Sequence, residues 1–309
     1  MTDPIKEVIP RDIPENIKPT INYFADLLDE VVNFGSNILI WDVTPKTNGD
    51  ENLPPTMLFR HFLDLIDSTS ILVRHATGDP AKIVVRASFE TSLYIEYLLE
   101  KDTLNRSMAF LVADTIRLIK TTGNLIPDTK QGVKTHQTLK EEFSFSDIPD
   151  IHVLEAKEFI NTKETLLQKP EYKIAYDEFQ RLKSQGKGNT KWYGYFNGPG
   201  NIEALARCLN QWSIYEIMYR KWSGAVHGTD IYLGKVLATE DASRVDIVQL
   251  RYVKDVQDIV AYSLIISVKV FRLFISARIP QKQNEFIQWY LIYKEHLEQL
   301  TSKQLIIVT

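Results

Sequence analysis

Cysteine is almost absent from this sequence. Cys208 stands alone among 309 residues, which excludes an internal disulfide and a cysteine-based structural zinc cluster and suits a chain of the reducing cytoplasm. Histidine is nearly as sparse. The six, at 61, 75, 136, 152, 227 and 296, never recur three or four residues apart, so no helix offers a histidine pair to a metal. Neither a metal nor another cofactor is expected. The amino terminus lacks the charged-then-apolar pattern of an export signal. The nearest approach to a membrane-length run, 259–275, is interrupted by Lys269 and Arg272 and reads as a buried helix, so no membrane is expected among the partners. Positive charge is not in excess either. A net charge of −4 argues against a surface that coats nucleic acid, so any contact with RNA or a nucleotide has to be local. No Gly-x-Ser-x-Gly elbow, glycine-rich dinucleotide fingerprint or fixed-period repeat is found.

What the chain does have is apolar residues at helical spacing. Phe24, Leu27, Leu28, Val31, Val32, Ile38 and Leu39 mark a first helix from Pro19 to about Trp41. Similar patterns place helices at about 56–76, 79–101 and 103–122, with Gly78 ending the second and Asp79-Pro80 starting the third. Residues 123–150 mix glycine, proline and charge and read as a long loop or a poorly packed excursion. Two polar helices follow at about 152–167 and 171–184, then a helix capped by Asn201, a helix that Ser213 can cap, an apolar helix at about 255–277 and a last one at about 281–302. Residues 230–251 allow a small hairpin or a loop. The expected fold is all-α, a multi-helix bundle with an outer helical hairpin, in one domain spanning 1–309. Within it, 1–18 form an extended arm, 57–122 and 201–278 the core bundle, and 151–184 the peripheral hairpin. The apolar tail 304–309 should be docked, on the bundle or on a protein partner.

The stretch Tyr215-Glu-Ile-Met-Tyr-Arg-Lys-Trp-Ser-Gly-Ala-Val-His227 carries the candidate chemistry. At about 100° per residue, Arg220 and His227 differ by only about 20° around a helix, with Ser223 and Glu216 within roughly 60° of Arg220. One stripe then holds four polar groups. A histidine titrating near neutral pH can exchange protons with a ribose 2′-hydroxyl or a leaving oxygen, and an arginine fork can neutralise a phosphorane. That chemistry cleaves a phosphodiester without a metal. Ser223 can orient the imidazole, and Glu216 can hold Arg220 from four residues upstream. Arg86 and Glu90, four apart on a largely apolar helix, are a second phosphate ligand and a partner for Arg220 or His227, or else a structural pair. The bland reading makes Arg220 and His227 members of a buried hydrogen-bond network with Glu90 or Ser223.

Arg220, six intervening residues and His227 resemble the R-x4-6-H signature of the HEPN superfamily of small helical bundles. Arg86-Ala-Ser-Phe-Glu90, Lys191-Trp192-Tyr193-Gly194, Tyr215, Tyr219, Ser223 and His227-Gly228 together look like an uncharacterised bacterial helical domain family, over roughly residues 55–230. Lys221 departs from the commonest HEPN form, which has a small polar residue after the arginine. The resemblance implies a metal-independent endoribonuclease, a role as toxin or phage-defence effector, and a cleft completed in a homodimer.

Lys191, Trp192, Tyr215 and Tyr219 are the candidate substrate-binding residues: the aromatic run that Trp192 opens can stack on bases, the basic turn that ends at Lys191 can guide an RNA backbone, and Tyr215 and Tyr219 belong to the pattern that carries the resemblance. A cluster such as Trp192, Tyr193, Tyr195 and Phe196 more often anchors an irregular segment onto the core. The rival function is a non-catalytic helical module that binds a nucleotide or another protein.

Overall fold

A computed structural model of the chain describes residues 9, 11–45, 49–143, 150–229, 236–238 and 245–306. In chain order the elements are α1 (Lys18–Val43), α2 (Leu53–Arg74), α3 (Gly78–Glu100), α4 (Thr103–Gly123), α5 (Lys130–Phe143), α6 (Asp150–Leu167), α7 (Pro170–Ser184), α8 (Ile202–Cys208), α9 (Trp212–Ile214), α10 (Ser223–His227), β1 (Val236–Ala238), β2 (Val245–Ile247), α11 (Val256–Arg278) and α12 (Gln283–Ser302). A π-helical turn, Tyr215–Arg220, lies between α9 and α10. The fold is all-α, with one two-stranded antiparallel ribbon that pairs Val236 with Ile247. Of the two readings open for 230–251, the hairpin is the one found at 236–238 and 245–247.

The chain divides into two compact units. One comprises 1–48, 55–99 and 206–309; the other comprises 49–54 and 100–205. In the first, α11 packs between α1 and α12, burying Phe24, Phe59, Phe62, Phe271 and Phe274 almost completely. α11 is long and apolar enough to cross a membrane, but 61% of its most apolar window is buried in the protein, as in a core helix. Gly35 permits the close approach of α1. A Cβ there would lie 2.9 Å from the Phe271 ring and closer still to Leu63. Polar staples tie the ends together. The Gln257 amide donates to the carbonyls of Leu300 (2.9 Å) and Lys303 (2.6 Å) and accepts from the Leu305 backbone N–H (2.8 Å). With Ile306 buried, the tail is docked on its own unit as far as it is described. The expected arm at 1–18 falls outside the described residues except for 9 and 11–18, where the chain turns at Glu15–Ile17 into α1.

In the second unit α4 packs on α6, α7 and the 3-10 turn Trp192–Asn197. This corrects two expectations. α4 contributes Met108, Ala109 and Val112 to a core completed by Leu167, Tyr172, Ala175 and Leu182, so the 151–184 hairpin is built into a core instead of decorating one. α4 is likewise set in that core and not in a bundle formed by 57–122. The polar sequence of α6 and α7 hid a narrow apolar stripe sufficient to cover one helix. A third correction is α5, a helix in a segment expected to be a long loop or a poorly packed excursion. Thr129 caps it, its hydroxyl accepting the Gly132 N–H at 2.9 Å. A fourth concerns the α2–α3 turn, where Ala76 takes the left-handed conformation (φ 51°) and Gly78 opens α3.

Glu178, on α7, holds the irregular segment after Lys191. Its carboxylate takes the Arg181 guanidinium at 2.7 and 2.8 Å and the Phe196 backbone N–H at 3.0 Å, and Phe196 and Asn197 are both left-handed (φ 55° and 62°). The Arg181 hydrogen bonds, against some burial and helped by the Phe196 N–H, hold the Glu178 carboxyl below its ordinary value. Burial and the nearby Glu178 charge push the Tyr195 phenol up to about 12. A depressed carboxyl stabilises the fold above its unfolded value of about 4.3 and loses that contribution as pH falls. A raised phenol keeps its contribution below about 10 and loses it as pH rises toward 12. Trp192 fluorescence should therefore report loss of structure at both extremes. Glu178→Gln is expected to remove the acid limb of that profile, and an unchanged acid limb would show that the pair contributes nothing.

Candidate functional site

α3 and the segment 207–228 of the first unit build one polar-aromatic assembly. The Tyr219 hydroxyl donates to Glu90 at 2.5 Å, and Tyr94 donates to the other Glu90 oxygen at 3.5 Å. The Arg86 guanidinium lies 4.1 Å above the Tyr219 ring, and its Nε is buried with no hydrogen-bond partner. Burial, then the hydrogen bond to Glu90 and that carboxylate's charge, push the Tyr219 phenol well above its ordinary range, with Arg86 acting the other way. It stays a donor at any physiological pH.

The stack continues. Tyr215 lies on Tyr219 (5.2 Å, 24°), Trp212 on Tyr215 (5.3 Å, 23°), and the Arg207 guanidinium covers Trp212 at 3.3 Å. Two arginines thus close a three-ring ladder at its ends, a geometry the ring quadrupoles favour. Sequence reasoning missed Arg207 and Trp212 as members, although rings at 212, 215 and 219 follow the three-and-four spacing of a helix face. The role expected of Tyr215 and Tyr219 is substrate binding. Both are buried, and their faces are covered by these neighbours.

The backbone corrects the idea of one continuous stripe. Tyr215–Arg220 is a π turn, in which each residue advances less than the α-helical angle. Trp222 then leaves the helix (φ −82°, ψ 6°) before α10 resumes at Ser223. The angular relation of Arg220 to His227 expected for an α-helix does not hold. Trp222 is buried edge-on against Tyr262 of α11 (5.5 Å, 89°), which pins the break to the core. The segment therefore sorts its side chains. Tyr215, Met218, Tyr219 and Trp222 face inward, whereas Glu216, Arg220 and His227 are exposed.

Arg220 is bound by Glu216 through Nη1, at 3.1 and 3.2 Å to the two carboxylate oxygens. Ser223 is half-buried at the start of α10, and Ser213, expected as a cap, makes none: α9 starts after Gln211 without a side-chain cap. His227 is the last residue of α10, followed by left-handed Gly228 (φ 65°). The bland reading of a buried network is overturned for Arg220 and His227 by their exposure. Glu90, offered as their partner, is instead engaged by Tyr219 and Tyr94. Ile217 and Val226, beside these polar residues in sequence, are 58% and 42% exposed.

Lys191 and Trp192 belong to the second unit. Lys191 is exposed. Trp192 meets Phe110 edge-on at 5.3 Å and Tyr193 at 5.6 Å, so it anchors the irregular segment to α4. Among the described residues no three His, Cys, Asp or Glu side chains are placed to hold a metal ion.

A model of the family described as "Family of unknown function (DUF5677)" matches residues 52–244. No curated protein and no solved structure matches the chain.

Proposed function

Since the chain belongs to this family of unknown function, we propose its activity from the exposed Arg220 and His227 and from their resemblance to the HEPN signature: a metal-independent endoribonuclease of HEPN type, in the cytoplasm, serving, as that resemblance implies, as a toxin or phage-defence effector. His227 acts as general acid or base and Arg220 as phosphate stabiliser. The observation that carries this reading is the sorting of the 215–227 segment. A buried aromatic ladder and Trp222 fix its inner side, while Arg220 and His227 remain in contact with solvent. Such a rigid support under an exposed arginine and histidine suits a site more than a solvated turn.

Two exposed apolar side chains, Ile217 and Val226, lie next to those polar groups in sequence and favour a two-fold dimer that brings two Arg220–His227 pairs together. Incubation of transfer, ribosomal and unstructured RNAs with the full chain in EDTA, alongside light scattering, tests the reading. Cleavage by a dimer is the expected result. A folded monomer that neither cuts nor binds any of these RNAs overturns it.

One observation favours a second reading. Glu216 already occupies the Arg220 guanidinium, as in a silent relative that binds a nucleotide or a protein without cutting. RNA binding without cleavage, lost in Arg220→Ala, is the outcome that distinguishes it.

A further inference from the structure

The net negative charge of the chain conceals one stretch of opposite sign in the second unit. Between Glu178 and Glu203 there is no acidic residue, and Arg181, Lys183, Lys187 and Lys191 all fall there. Glu178 takes Arg181, and the next carboxylate upstream, Asp177, is held by Lys173 at 2.7 Å. The three lysines are exposed, and none of their side chains ion-pairs with a described residue. The backbone gathers them. The Lys187 N–H donates to the Leu182 carbonyl at 2.9 Å, and Gly188 lies against the Lys183 stem, where an added Cβ would sit 3.5 Å from Cγ. The Gly194 N–H donates to the Lys191 carbonyl at 2.8 Å, so Lys191 opens the 3-10 turn that follows.

That turn carries an aromatic ring set against its backbone preference. Phe196 is left-handed (φ 55°, ψ 38°), a conformation bulky side chains rarely take. The Glu178 carboxylate, 9% exposed, fixes it there through the Phe196 N–H. Trp192 packs on Phe110, and Tyr193 and Tyr195 are buried; Phe196, by contrast, is 37% exposed. A backbone outlier enforced by a buried carboxylate, under a ring that reaches solvent, points to a use for that ring. Lysines without a carboxylate partner answer phosphates, and an aromatic face stacks on any base.

We propose that this face binds single-stranded nucleic acid, with Lys183, Lys187 and Lys191 on its phosphates and the Phe196 ring on a base. It goes beyond the ribonuclease reading and does not rest on it: the second unit holds a strand whether or not Arg220 and His227 cut one. Fluorescence anisotropy of labelled oligothymidylate with the full chain in EDTA tests it, since that strand has no 2′-hydroxyl to attack and binding is read apart from cleavage. Oligouridylate should bind as well, because neither kind of contact reads the 2′-hydroxyl. Lys183→Gln/Lys187→Gln/Lys191→Gln should flatten the slope of log affinity against log salt by about two, as the loss of three phosphate contacts on a single strand requires. Phe196→Leu keeps an apolar side chain at the strained position and should weaken binding by about fivefold or more, whereas Phe196→Tyr should leave it unchanged. Folded wild type that binds neither strand at low salt overturns the proposal, as does a salt slope unchanged in the triple variant. Wild-type affinity in Phe196→Leu refutes the stacked base, and polyglutamate binding as tightly refutes nucleic acid as the partner.

Discussion

Replacing His227 by alanine is expected to lower RNA cleavage in EDTA by about 10²–10⁴-fold, the range for removing a positioned general acid or base. The fold should not suffer. His227 is exposed at the last position of a short helix, and surface substitutions of that kind shift stability by about 0.5 kcal/mol or less. Arg220→Ala should cost about 10²–10³-fold through loss of charge stabilisation, with Arg220→Lys recovering only part, because an ammonium keeps the charge and loses the fork. Tyr219→Phe supplies the contrast. It keeps the ring ladder, removes the bond to Glu90, and should lower stability by about 1.5–3 kcal/mol. Cleavage that survives intact in both His227→Ala and Arg220→Ala would remove this segment from the chemistry altogether.

The elements most legible in the sequence were those whose own apolar pattern is long. Phe24, Leu28, Val31 and Ile38 repeat over several turns, so α1 was placed to within a few residues. α5 was invisible because its stability does not come from a stripe: Val133 is 56% exposed, and the cue was the single capping residue Thr129. The assignment of α4 failed for a different reason. Met108, Ala109 and Val112 mark an apolar face clearly, but a face does not name its partner, and α6 and α7 cover it as well as any other helix pair. At the candidate site, residue types were readable and backbone was not. No pattern in 215–228 distinguishes a π turn followed by a break at Trp222 from a regular helix. Which polar residues face inward depended on that turn. Glu90 was correctly marked as needing a partner on an apolar helix, and the partner is Tyr219, whose hydroxyl lies across from α3 only once the ladder is assembled.

The largest effect on stability is expected at Asp42, a carboxylate buried at the end of α1 with a side chain 3% exposed. Arg278, at the end of α11, donates to it at 2.7 and 3.1 Å, and Thr56 of α2 donates at 2.7 Å. Three helices are joined at one carboxylate. Asp42→Ala leaves the Arg278 guanidinium, itself 9% exposed, without its counter-charge, and Arg278→Ala leaves the carboxylate without its own. Either should destabilise the first unit by about 3–5 kcal/mol, most of it the cost of a buried charge left alone. Asp42→Leu/Arg278→Met removes both charges and fills much of the volume. It should recover most of the loss, since a buried ion pair and an apolar replacement of similar size differ little in stability. Urea denaturation of the two single variants and the double variant measures the coupling directly. If each single variant costs less than about 1 kcal/mol, the pair behaves as a solvated one and does not fasten the helix ends. If the double variant is as unstable as the sum of the singles, the loss comes from packing at Thr56 and Phe274, whose ring lies 5.6 Å from the Arg278 guanidinium, and not from charge.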